Sequence, residues 1–124
     1  MISIDEMEDM LNEIVERFPE GLFKDLNGGI LLLPQKKENE QSLDRDLFIL
    51  GEYHRGGPMG RYITIYYGSF MKVYGNMSRS GIKKRLKDTL KHEFVHHLES
   101  LAGERDLEIE DREFMEKYFE GKRK

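Results

Sequence analysis

The sequence predicts an α+β fold: one domain over residues 1–124, with an N-terminal helix and a long motif-bearing helix packed on a small, mostly antiparallel sheet and a C-terminal helix closing one side. Three observations carry this. Apolar residues recur at helical spacing near the N-terminus and again over residues 82–101. Short β-rich runs bounded by glycine and proline fill the stretch between. A chain of 124 residues is also long enough to build its own core without disulfide or metal staples.

The first helix starts at Ser3-Ile4-Asp5-Glu6, a capping box in which the serine oxygen accepts a first-turn N–H and the glutamate reaches back. Ile4, Met7, Leu11, Ile14, Val15 and Phe18 follow at steps of three and four, and Pro19 enforces the end. Its acidic residues read as a solvated face. Asn27-Gly28-Gly29 is a turn signal, and Ile30 to Leu33 is a short apolar strand stopped by Pro34. Gln35 to Ser42, polar and without period, reads as an exposed loop. Leu47 to Tyr53 is a second strand and Tyr62 to Tyr67 a third, where Ile63, Ile65 and Tyr67 alternate with Tyr62, Thr64 and Tyr66 as in a sheet with one covered face. The intervening His54 to Gly60, rich in glycine, predicts a hairpin. Ser69 to Tyr74 reads as a short helical turn. Ser78 to Gly81 leads into the long helix, whose Ile82, Leu86, Leu90, Phe94, Leu98 and Leu101 form an apolar stripe. Gly103 is a stop signal, and a last helix runs from Ile109 through Phe119 to Gly121.

Composition narrows the function classes. Charged residues make up 35% of the chain and the net charge is -4, with both signs interspersed, so no polyanion partner is indicated. Lys83, Lys84, Arg85 and Lys87 crowd the start of the long helix, but without an aromatic platform or nucleic-acid-binding fold they read as solvated cations. The lack of cysteine excludes a disulfide scaffold and a thiolate metal site and fits a reducing compartment. Residues 1–18 lack the basic start and apolar run of a signal peptide, and no stretch approaches a membrane span. The expectation is a soluble cytoplasmic protein with no membrane or nucleic-acid partner.

The chemistry concentrates in Lys91-His92-Glu93-Phe94-Val95-His96-His97, which holds three of the four histidines. His92 and His96, four apart on a helix, place their imidazoles one turn above the other, as needed to grip one metal ion. Glu93 stands where the H-E-x-x-H pattern puts a general base acting on water at the metal. At about 100° per residue the two histidines fall on the flank of the apolar stripe, half roofed by core. A catalytic zinc needs a third protein ligand. Glu104 and Asp106 lie just past Gly103, and either can close the site. His97 points into the stripe and reads as a core residue or as a support for a ligand carboxylate. His54 reads as a polar loop residue rather than a substrate-side group, and Tyr66 and Tyr67 as packing rather than oxyanion stabilisers at a cleft edge.

These residues resemble the small bacterial zincin-like metallopeptidase family, whose signature is H-E-x-x-H-x-x-G-x-x-D. His92 to His97 matches its front half, Gly103-Glu104-Arg105-Asp106 its close, and Gly56 to Gly68 the glycine loop and strand before its active-site helix. One departure stands out: six residues, not two, separate His96 from Gly103. The resemblance implies a zincin-like domain that binds Zn2+ through His92, His96 and Asp106, with Glu104 as the alternative third ligand. It would hydrolyse peptide bonds of a peptide or protein substrate with Glu93 as base. The competing expectation is a metal-binding or interaction module on the same scaffold with little or no peptidase activity.

Overall fold

The elements run α1 (Ile4–Glu16), a 3-10 turn (Glu20–Phe23), β1 (Gly29–Leu33), β2 (Gly51–His54), β3 (Tyr62–Tyr66), α2 (Tyr67–Tyr74) and α3 (Arg79–Glu104). They belong to a computed structural model that describes residues 1–40 and 47–104. The arrangement is α+β, helices packed on one small sheet.

The local signals at the first helix act as expected. Ser3 Oγ accepts the Glu6 N–H at 3.1 Å while the Glu6 carboxylate accepts the Ser3 N–H at 3.2 Å. A cap of this kind stabilises a helix by about 1 kcal/mol. The inward face of α1 buries Met7, Met10, Leu11 and Ile14. Its outward acids are more than solvated: Glu6 pairs with Arg79 and Glu13 with Lys83, tying α1 to the first turns of α3. Ser78 caps α3 by accepting the Gly81 N–H at 3.1 Å.

The sheet order is β1-β3-β2. β2 and β3 form the expected antiparallel hairpin, with Gly51 opposite Ile65 and His54 opposite Tyr62. β1, however, runs parallel to β3, from Gly29 opposite Tyr62 to Leu33 opposite Tyr66, so the sheet is mixed rather than mostly antiparallel. The reason is topological: the chain leaves β1, returns on the far side as β2, and inserts β3 between them in the direction of β1. The second strand is shorter than Leu47 to Tyr53, because Phe48 instead forms an isolated bridge with Glu38. Ile49 N–H donates to the Lys37 carbonyl and Asn39 N–H to the Leu47 carbonyl, both at 2.8 Å. Gln35 to Asn39 is therefore a bonded ribbon, not a free loop.

Being central, β3 is covered on both faces, and the expected one-sided alternation fails: Thr64 and Tyr66 are buried along with Ile63 and Ile65. Tyr67 leaves the strand to open α2, and its hydroxyl donates to the Ile2 carbonyl.

All six stripe residues of α3 are buried, none more than 4% exposed. Phe94 meets Phe18 and Phe23 edge-on, at centroid distances of 5.6 and 5.2 Å. Gly103 does not stop this helix, which continues through Glu104. Gly103 is exposed and does not take up the left-handed backbone of a stop. Retaining it in a helix costs only about 1 kcal/mol relative to alanine, which Leu101, packed into the core just before it, readily offsets. The expected last helix over residues 109–119 lies outside the described residues. No described helix is long and apolar enough to cross a membrane.

Candidate functional site

Because the α3 stripe faces the core, positions 92 and 96 are carried to its edge, where both histidines are exposed. Their Nε2 atoms stand 3.2 Å apart, with ring centroids at 4.7 Å and planes crossed at 87°. Two nitrogens held about 2.0–2.1 Å from one ion at the tetrahedral angle lie about 3.3 Å apart. The spacing of the imidazole pair is therefore that of two ligands on one zinc ion. The same separation suits an N–H···N hydrogen bond between neutral rings.

Glu93 is one step round the helix toward the core and only 5% exposed. Burial pushes its carboxyl up to about 7, and the negative charge of Glu52 adds to the shift. Both glutamates line one open cleft of about 550 Å³, with β2 as one wall and the α3 row His92, His96, Ser100 as the other.

Glu52 itself behaves oppositely. Burial works to raise it, but hydrogen bonds from Lys37 Nζ and Tyr66 Oη, each 2.6 Å, prevail and hold it below the ordinary carboxylate value. Desolvation and the bond to Glu52 push the Tyr66 phenol up, and the Glu52 bond raises the Lys37 ammonium. A carboxylate only accepts, so it sets the direction of the whole chain: Tyr66 donates to Glu52, Thr64 Oγ1 donates to Tyr66 at 3.3 Å, and His54 Nε2–H donates to Thr64 at 2.9 Å. His54 also stacks on Tyr62 at 4.4 Å, so it is a bound member of the sheet rather than a loose loop residue. Sequence reading missed this row. Its one signal was the period-two pairing of Glu52 and His54 with Thr64 and Tyr66, which becomes visible only once the β2–β3 register is known.

His97 is fully buried, and among the described residues its ring nitrogens meet no carboxylate. Its Nε2 lies 2.7 Å from the Lys24 carbonyl, which can only accept, so Nε2 carries the proton and Nδ1 accepts from the Tyr53 hydroxyl at 2.8 Å. The histidine thus straps β2 to α3, because its position on the helix faces the strand and not the cleft.

Neither expected third ligand is placed beside the histidine pair. Asp106 lies outside the described residues, and Glu104 is described only as the end of α3. Among the described residues no three acidic or histidine side chains gather around one point. Glu99 Oε2 lies 4.0 Å from His96 Nδ1, the ring nitrogen turned away from the pair, too far for a hydrogen bond.

No family profile matches the chain, and no curated protein matches it. Among solved structures, a conserved hypothetical protein from Thermus thermophilus superposes with a TM-score of 0.73 at 30% identity, over 83% of this chain and the whole of that one. The resemblance to the small bacterial zincin-like metallopeptidases is therefore corrected: no profile of that family matches, the helix runs unbroken through the glycine that its signature uses to turn, and no three-ligand group is assembled among the described residues. The chain belongs to the same family as the conserved hypothetical protein from T. thermophilus.

Proposed function

We propose that the protein is a zinc-dependent hydrolase of peptide bonds. The observation that carries this reading is the convergence of His92 and His96, Nε2 atoms 3.2 Å apart, beside a buried glutamate whose carboxyl titrates near neutrality. When bound, zinc supplies Lewis acidity that polarises a carbonyl and eases deprotonation of water. The chain's own residues do the rest. His92 and His96 offer neutral imidazole lone pairs at the cleft surface. Glu93 takes the proton from the attacking water and delivers it to the leaving amine, as base and then acid. Absence of cysteine agrees with work in the cytoplasm.

The alternative is a binding or interaction module without hydrolytic activity. It is favoured by the lack, among the described residues, of a third ligand beside the histidine pair. Zinc content by elemental analysis and peptide cleavage, measured on the same preparations, separate the two. Wild type is expected to hold zinc and cleave. Glu93→Gln should keep zinc and lose cleavage by a factor on the order of 10²–10⁴, and His96→Ala should lose both. Cleavage at the wild-type rate in Glu93→Gln removes Glu93 as base, and zinc-free wild type after zinc loading leaves the module.

A further inference from the structure

Besides the cleft shared with His96 and Ser100, the residues His92, Glu93 and Gly51 border a second hollow of about 430 Å³, on the side toward the start of α3. One wall is the segment leading into β2, residues 48–50, together with Tyr74 of α2. Backbone bonds fix this wall. Phe48 bridges Glu38, the Ile49 N–H donates to the Lys37 carbonyl at 2.8 Å, and the Leu50 carbonyl accepts the Tyr66 N–H at 2.9 Å. The facing wall is Arg85, Asp88 and Thr89 of α3. Strand and helix approach closely where β2 begins: a Cβ at Gly51 would stand 3.1 Å from Thr89 Cγ2. The Thr89 hydroxyl donates to the Arg85 carbonyl at 2.9 Å, so toward the strand this residue presents its methyl.

The chemistry of the hollow is apolar beyond what the core uses. Leu50 and Tyr74 pack against the core, but Phe48 and Ile49, though half-buried, do not belong to the hydrophobic core of the described residues. Two large apolar side chains held at a hollow with a polar rim mark a binding wall. Charge agrees with this. Beside Glu93, the charged side chains lining the hollow among the described residues are Arg85 and Asp88, which are of opposite sign and cancel. Arg85 also lies over the Tyr74 ring, 5.3 Å from its centroid. Distance fits as well. A rise of 1.5 Å per residue sets Thr89 and Asp88 about 4.5 and 6 Å along α3 from His92. An extended peptide advances about 3.3 Å per residue. A residue next to a bond presented to the histidine pair therefore brings its side chain to this hollow.

We propose that this hollow, walled by Phe48 and Ile49, is the specificity pocket of the site and takes one large apolar side chain, such as phenylalanine or leucine, from the residue adjoining the bond to be cut. Burial of such a side chain removes apolar surface from water, which favours it over alanine, and no net charge in the opposing wall favours an ion. The occupant's belonging to a substrate that is cut rests on the hydrolase reading; the apolar pocket itself does not.

The test is binding by calorimetry to the full-length, zinc-loaded Glu93→Gln protein. The probes are acetyl-tetraalanine amide and three forms of it in which one central alanine is replaced by phenylalanine, glutamate or lysine. The phenylalanine probe is expected to bind about tenfold or more tighter than the alanine probe, with the two charged probes near alanine. Phe48→Ala should remove most of that preference and Phe48→Leu restore part of it, with zinc content and thermal unfolding unchanged. Ile49→Thr, which keeps a β-branched residue in the wall, should weaken the preference in the same direction. Equal binding of the phenylalanine and alanine probes, the result if another part of the chain fills the hollow, overturns the assignment. So does tighter binding of either charged probe, or a phenylalanine preference that survives Phe48→Ala at full strength. Wild-type cleavage is assayed separately. A preference without cleavage supports the pocket and removes only the hydrolase, whereas cleavage without preference removes only the pocket.

Discussion

Glu93 carries a conflict that can be measured without any metal. Its carboxyl is pushed from the ordinary 4.5 up to about 7 by burial and then by Glu52. Below pH 4.5 it is protonated whether the chain is folded or not, and its contribution to stability is fully present. As pH rises through about 7 the folded protein must ionise a buried group, and that contribution is lost, up to roughly 3 kcal/mol. Glutamine does not titrate. Urea unfolding of the metal-free proteins should therefore show Glu93→Gln gaining on wild type by about 3 kcal/mol between pH 4.5 and 8, and a constant difference would mean that Glu93 is not buried as described. His97 offers a second residue-scale test. Tyr53→Phe leaves the buried Nδ1 without its Tyr53 donor and is expected to cost about 1–3 kcal/mol with zinc content unchanged. A neutral substitution would contradict the strap between β2 and α3. Sequence periodicity placed His97 inward correctly, yet its partners Tyr53 and Lys24, 44 and 73 residues away, cannot be read from spacing along a helix.

At the scale of the element, two helical glycines make opposite forecasts. A Cβ at Gly103 meets nothing within 4 Å and the backbone there is not left-handed, so Gly103→Ala should stabilise the fold by about 0.5–1 kcal/mol. A loss of stability would restore the glycine as a helix stop. A Cβ at Gly68 would lie 2.5 Å from the Lys36 nitrogen, where α2 presses on the ribbon after β1, so Gly68→Ala should cost about 1–3 kcal/mol or more. Thermal unfolding of the two variants beside wild type reads both. Elements with strong local signals were legible: the Ser3 capping box, the Pro19 stop and the period of the α3 stripe each depend on a few neighbouring residues. Gly103 misled because glycine is compatible with both a helix and its end, and only tertiary packing decides. The parallel pairing of β1 with β3 was hidden for a related reason, since strand order is set by contacts between segments about 30 residues apart and leaves no periodic mark.

At the scale of the whole molecule, the candidate site is an agreement among three segments remote in sequence. α3 supplies the histidine pair and Glu93, β2 supplies Glu52 as the opposite wall, and the hairpin brings Arg55 and Arg61 to Ser100. His92, Glu93 and His96 were legible because one helix holds them all and their spacing is their geometry. Glu52, Arg55 and Ser100 were not, because the β2–β3 register and the docking of β2 on α3 place them. The family resemblance drew on the motif alone, and a motif held within one helix does not specify the turn or the ligand that follow. The most direct test of the account is the anomalous difference density of crystals soaked in zinc. One ion is expected about 2.0–2.1 Å from Nε2 of both His92 and His96, beside the Glu93 carboxylate on the same wall of the cleft. Density at neither histidine, or zinc bound only at some other surface, would contradict the central claim.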